Sequence, residues 1–391
     1  MRLQSLAILA ALTSLSYAQN LTAFADALGS IGATNFTAIA ANLNSTSEGQ
    51  AVIQTLLSGR NFTIFAPNND AHVLSYHILQ GNFSSSNSST PELVSGNSPD
   101  HTIGRSLLNS SEFVTLEGNA SQVLAWTKEN GAISLLNQPN NVSVINSTRV
   151  AGTGIDIYLI NGVLSFPPTL STLVSNSSNT TSLSGLLNST MIPAADGTNQ
   201  TLATVLDMQK GMTAFAPTND AFSAISSSLS ALAGNQTAVI TVLQNHIING
   251  TSVYSTEITN GASMTSAAGE SLKFSTNSSG TYVTSGSTTA KIVQTDLLTS
   301  NGVVHLIDAV LLNLDTDPSA ASSAYQSATS AAATMTETGP IAASATGPNG
   351  SSSTSSGGSN NGAGTLPITV HYYTMSFAAV IGFVVFGAYT V

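Results

Sequence analysis

The 391-residue chain contains no cysteine and very little charge: eight Lys and Arg, nineteen Asp and Glu, 7% in all. Without thiols no disulfide staples the fold, and cysteine nucleophiles and thiolate metal sites are excluded. A charged share far below the usual quarter leaves the surface in need of another source of solubility. The formal net charge of −11 argues against nucleic acid, which requires a basic patch. The six histidines form no His-Glu-x-x-His, and there is no Gly-x-Ser-x-Gly and no phosphate-binding loop. His72 and His77, five residues apart, do not share a helical face on which to hold a metal. No catalytic residue, cofactor or metal ligand is assigned, and the chain is read as a non-enzyme.

What the chain has in quantity is Asn-x-Ser/Thr. The acceptor candidates are Asn35, Asn44, Asn61, Asn82, Asn109, Asn141, Asn146, Asn188, Asn199, Asn235, Asn249 and Asn277. One such triplet is a weak signal. At this density they point to a glycoprotein whose solubility comes from sugar.

The ends suggest where that sugar is added. Residues 1–18 have the outline of a signal peptide: Arg2, an apolar stretch from Leu6 to Leu12, and Ser16-Tyr17-Ala18 before the cut. Residues 366–391 end inside an uncharged apolar run. With no Lys or Arg after Leu366, they read as a GPI-attachment signal rather than a spanning helix, and Asn361 is the attachment candidate. Between them, 316–365 collapse into Ser, Thr, Ala and Gly and read as a disordered stalk.

Within these bounds one phrase occurs twice. Phe62-Thr-Ile-Phe-Ala-Pro-Asn-Asn-Asp-Ala71 returns, 150 residues later, as Met212-Thr-Ala-Phe-Ala-Pro-Thr-Asn-Asp-Ala221. A second phrase, Tyr158-Leu-Ile-Asn-Gly-Val-Leu164, returns as His305-Leu-Ile-Asp-Ala-Val-Leu311. Two phrases in one order mean a tandem duplication of whole domains, 19–167 and 168–315. Each reads as α+β. In the second copy a strand at Met212–Ala216 precedes a helix with Phe222, Ile225, Leu229 and Leu232 on one face. A second helix carries Val239, Val242, Leu243, His246 and Ile247 to an Asn249-Gly250 cap. Strands follow at Ser252–Ile258, Ser271–Ser275, Thr281–Thr284 and Lys291–Gln294, and Gly302–Leu312 is central. The first copy has only seven residues from Asp70 to His77, where the second has 26 from Asp220 to His246. It therefore lacks a helix after residue 71, either through a gene-model error or because the domain is shortened.

The order strand, Phe-Ala-Pro-x-Asn-Asp-Ala, helices, a His, short strands, then Ile-Asp-x-Val-Leu resembles the fasciclin domain, in tandem. The resemblance implies a β-sandwich-like wedge packed with helices, and adhesion at a surface or matrix. The stalk and anchor resemble the fungal, cell-wall members of the family. The implied partners are extracellular proteins, wall glycans or a second copy. Tyr76 and His77 become adhesion candidates, with packing at a helix end as the alternative, and so do His246 and Asp308. A wall-remodelling enzyme and a small-ligand or lipid carrier stand as alternative functions. The anchor is tested by treating cells with a phosphatidylinositol-specific phospholipase, which should release the protein. Retention, with an epitope after Val391 still present, contradicts the anchor.

Overall fold

The structure, a computed structural model, describes residues 22–33, 47–56, 58–67, 74–85, 88–193, 198–232, 234–334 and 339–342. The signal peptide, the anchor signal, Asn35, Asn44 and Asn361 lie outside them.

The first repeat opens with helices α1 (22–30) and α2 (Ser47–Leu56). Its strands are β1 (Phe62–Pro67), β2 (Ile78–Gln80), β3 (Thr102–Arg105), β4 (Val123–Glu129), β5 (Ala132–Leu135), β6 (Val142–Arg149) and β7 (Ile155–Ile160). The second repeat opens with α3 (Leu170–Asn176), α4 (Thr181–Ser189), a small hairpin of β8 (Met191–Pro193) and β9 (Asn199–Thr201), and α5 (Leu202–Asp207). Next come β10 (Met212–Pro217), helices α6 (Asn219–Ala224), α7 (Ser226–Leu232) and α8 (Gln236–Gln244), and β11 (Ile247–Asn249). The series β12 (Ser263–Thr265), β13 (Ser271–Asn277), β14 (Gly280–Ser285), β15 (Thr288–Thr299) and β16 (Gly302–Ile307) completes the second sheet, and α9 (Pro318–Ala332) follows it.

The two seven-stranded sheets share one strand order. The first runs β2-β1-β7-β6-β5-β4-β3 and the second β11-β10-β16-β15-β14-β13-β12. The two duplicated phrases are neighbours in space. β1 pairs in parallel with β7, setting Phe65 opposite Tyr158, and β10 with β16, setting Phe215 opposite His305. All four strands are buried along their whole length. Side chains alternate across a strand, so each central pair feeds two cores. Met212, Ala214, Ala216, Val304 and Leu306 face the helices, while Phe215 and Ile307 join Phe274 and Val283 on the other side. Burial on both faces is why these phrases read as continuous apolar runs rather than alternating ones.

Strand register measures the missing segment. From Met212 to its partner Asn249 is 37 residues, and from Phe62 to its partner Gln80 is 18. The 19-residue difference falls where α6–α8 stand in the second repeat. On this helical side 21 buried apolar side chains cluster in the second repeat against 13 described in the first. The first repeat is richer on the opposite side. There Trp126, the only tryptophan, is fully buried between Phe65 and Phe83 and donates its indole N–H to the Val94 carbonyl at 2.8 Å.

Several expectations need correction. The apolar face after Asp220 is split into α6 and α7, capped by Thr218, whose hydroxyl accepts from the Ala221 N–H. The following helix stops at Gln244, because Ile247–Asn249 is taken by the edge of the sheet, and Gly250 turns the chain after a strand, not a helix. Residues 252–258 hold a short 3-10 turn instead of a strand. The stretch expected to be structureless from 316 starts with α9, capped by Asp317 and packed on both repeats. Residues beyond 342 lie outside the described residues.

The repeats meet at a buried junction. Ile103, Val123 and Ala125 from the first repeat cluster with Tyr254, Leu298 and Val303 from the second. Polar bonds surround them: the Glu117 carboxylate accepts from the Ser252 N–H at 3.0 Å and hydroxyl at 2.8 Å, and Gln122 donates to the Thr299 carbonyl at 3.0 Å. Trp126→Ala should cost about 3–5 kcal/mol in a denaturant titration, since it empties a filled aromatic core. A loss under 1 kcal/mol contradicts this packing.

Candidate functional site

The two histidines singled out in the sequence do the same structural work. His77 Nε2 accepts the backbone N–H of Leu164 at 3.1 Å, and His246 Nε2 accepts that of Leu311 at 2.9 Å. Each bond ties the entry to the second strand to the end of the last phrase. His246 Nδ1 donates to the Val242 carbonyl at 2.7 Å, so the ring is neutral with both nitrogens occupied. Burial lowers its pKa from 6.5 to about 4, against the opposing pull of the Val242 carbonyl. Tyr76 is fully buried, donates to the Val123 carbonyl at 3.2 Å, and has its pKa raised by desolvation. Tyr76, His77 and His246 therefore offer no surface to a partner, and the adhesion assignment is corrected to core packing for all three.

Asp308 is different: it is exposed. Its Oδ1 accepts the Lys291 N–H at 2.7 Å, while its own N–H donates to the Lys291 carbonyl at 3.1 Å. Asn161 makes the same pair of bonds to Ser143. In both repeats the neighbouring strand then bulges, at Val144/Asn146 and at Ile292/Gln294. The residue pushed out is Ile145 in one copy and Val293 in the other, 55% and 50% exposed. A lone exposed apolar residue means little. The same extrusion, beside the same bonded Asx, in both copies marks a built feature, and bulges commonly re-aim side chains at functional sites. The copies differ beside it: Asn146 heads an Asn-Ser-Thr acceptor, whereas its counterpart is Gln294. A glycan at Asn146 would cover Ile145 and leave Val293 open.

Nothing in the sequence drew attention to Asp296, which is buried at the junction with φ of 57°. It accepts from His101 Nδ1 at 2.7 Å, from the Ser255 N–H at 2.7 Å and from the Ser255 hydroxyl, while its own N–H donates to His305 Nδ1 at 3.3 Å. Burial alone would raise its pKa. The hydrogen bond from His101 and the bonds from Ser255 outweigh that and hold it below the ordinary value. His305 is neutral and buried, its pKa lowered chiefly by desolvation, and its Nε2 donates to the Val253 carbonyl at 2.9 Å. With both Ser255 atoms donating to the carboxylate and both His305 nitrogens committed, Asp296 is fixed within the second repeat and ties His101 of the first repeat to it.

Among the described residues no three metal-ligating side chains converge, and no helix is long and apolar enough to cross a membrane. A ligand carrier needs a deep pocket. An apolar recess under α7, lined by Phe222, Ile225, Leu229, Leu232, Val242 and Leu243 among others, measures about 350 Å³ out to an open mouth. The acceptor candidates Asn61, Asn82, Asn109, Asn141, Asn146, Asn188, Asn199, Asn235 and Asn277 are exposed. Asn249 is the exception: it is half-buried, with an enclosed Oδ1 that lacks a partner, which makes it a poor acceptor.

Residues 181–313 match the family model described as Fasciclin domain. Protein sll1483 of Synechocystis sp. (strain ATCC 27184 / PCC 6803 / Kazusa) is 31% identical over 127 residues, which is 32% of this chain and 66% of that relative. A solved domain pair from the insect cell adhesion molecule Fasciclin I aligns over 68% of this chain and 93% of its own, at 15% identity and a TM-score of 0.33.

The buried histidines set an acid limit. The unfolded chain takes up a proton at His246 and His305 near pH 6.5, before the folded one does, so stability holds above about pH 7 and falls as the pH drops below it. For His246 the loss is on the order of 3 kcal/mol by pH 4. Asp296, held low when folded, adds its own loss below about pH 4, where the unfolded chain starts to bind its proton. Urea midpoints should drop from pH 7.5 to pH 5, and His246→Gln should flatten that slope. An unchanged slope in the variant contradicts the burial of this ring.

Proposed function

Because this chain carries a fasciclin domain over residues 181–313, and its first repeat is built on the same strand order, we propose that it is an extracellular adhesion or interaction protein rather than an enzyme. Its partners are cell-surface proteins, wall glycans or a second copy of itself. A GPI lipid holds it at the outer face of the membrane or wall. The family is one of adhesion and interaction modules, and exposed glycan acceptors fit an extracellular address.

The observation that carries this reading is the duplicated bulge. Val293 stands out from β15 beside exposed Asp308 and half-buried Lys291, giving one apolar and two charged contacts on a rigid strand. A site on a strand is better pre-organised than one on a loop. In the second repeat Gln294 stands where the first has the acceptor Asn146, so that repeat makes the contact. The first repeat positions it across the buried junction.

The expected outcome is separable. Val293→Asp should lower adhesion of cells to a surface coated with the protein several-fold and leave the melting temperature within error, because exposed substitutions seldom move stability by more than about 0.5 kcal/mol. Tyr76→Ala with His77→Ala should lower the melting temperature first. Adhesion unaffected by Val293→Asp, with the protein folded, removes this surface from consideration.

A further inference from the structure

Beyond the second sheet the chain turns back over both repeats. Asp317 donates its N–H to the Ala268 carbonyl at 2.8 Å and caps α9 through its side chain. Its backbone passes so close to Gly269 (φ 92°) that a β-carbon there would overlap the Asp317 carbonyl. Along α9, Tyr325 lies on Gly250 of the second repeat. At its far end the Ala332 carbonyl sits against Gly118 (φ 61°) of the first repeat, and a β-carbon there would overlap it. Ile341 then enters the junction. It is 5% exposed among Ile103, Val123, Ala125, Tyr254, Leu298 and Val303, and it donates its N–H to the Ile103 carbonyl at 2.9 Å. That bond falls on the free side of β3, the end strand of the first sheet, whose other side is paired with β4.

We propose that α9 and residues 339–342 form a strap that clasps the two repeats together and is released by tension on the C-terminal side of the chain. Its biological role rests on the reading of a tethered adhesion protein, in which a load between partner and anchor passes through this segment. Connectivity sets the order of events. A pull from beyond residue 342 reaches Ile341 first, then the Gly118 seat of α9, then Asp317, and only afterwards the sheets. Among the described residues, the end of the strap is held by one backbone bond and one buried side chain. The central strands behind it are held by continuous ladders, six paired positions between β10 and β16. Release uncovers the β3 edge at Ile103 and the apolar junction beside it, and it frees the repeats to hinge. The strap thus makes the spacing of the two repeats, and the presentation of Val293, dependent on load.

The test is single-molecule extension of the full chain with handles at its two ends. The expected record has an early, low-force event that frees the 26 residues from Asp317 to Ala342, roughly 90 Å of contour at about 3.6 Å per residue. Later steps of whole-repeat length follow. The chain has no cysteine, so Ile103→Cys with Ile341→Cys adds a single pair. Closing that disulfide should remove the early event, and a reductant should restore it. Gly118→Ala, which blocks the seat of α9, should lower the force of the event or abolish it without any new covalent bond. Extension only in whole-repeat steps, or an early event that survives both changes, overturns the strap. Because the purified chain needs no anchor, phospholipase resistance on cells would contradict the tether reading while leaving this measurement to stand or fall by itself.

Discussion

Each repeat is organised by one parallel pairing, between the strand of the first duplicated phrase and that of the last. Parallel strands require a long crossover, and here everything between the phrases supplies it: the helices, the antiparallel strands and the turns. The pair sits inside the sheet, buried on both faces, so each position serves two cores. Phe65 and Tyr158, or Phe215 and His305, are opposite one another because of this register. The histidine ahead of the second strand then binds the backbone at Leu164 or Leu311 and fixes where the last phrase ends. A neutral imidazole suits that task, since its acceptor nitrogen must stay unprotonated.

The same frame explains how the repeats differ. Losing 19 residues between β1 and β2 leaves the ladder intact, because β2 still finds its partner in the same register. The loss falls on the helical side, and the first repeat carries more of its packing on the opposite side, around Trp126, Phe65 and Phe83. The junction draws on both repeats. Glu117 reaches from the first into the second, and Asp296 of the second holds His101 of the first. Two buried carboxylates, each fully bonded, make the interface geometrically demanding. Removing one partner would leave a charge without compensation, which is far costlier than losing a surface pair.

The duplication, the α+β class and the central place of the last phrase were legible in the sequence because they rest on long apolar runs and recurring spacing. The helix–strand boundary at Gln244–Ile247 was not, since Val239, Val242, Leu243 and Ile247 satisfy both periods and only the sheet edge decides between them. Nor was α9: a Ser- and Ala-rich stretch has no apolar stripe, and its docking depends on glycines at 118 and 269 far away in the chain. The candidate site was half legible. Asp308 lay inside a recognisable phrase, but Val293 is marked only by a bulge, which belongs to strand pairing and leaves no local trace. Tyr76 and His77 could be read either way until burial was known. The Asp296 group joins residues nearly two hundred positions apart, and in a chain so rich in serine such a trio carries no signal.

The central claim is that the duplicated phrases, with their histidines, are the folding frame and that contacts with partners lie elsewhere. Native-state hydrogen exchange tests it most directly. The amides of Leu164 and Leu311, bonded to His77 and His246, should exchange as slowly as those of the paired central strands and respond to denaturant with the slope of global unfolding. Fast exchange at these two amides, by local opening that bares the histidines while the sheets remain protected, would contradict the account.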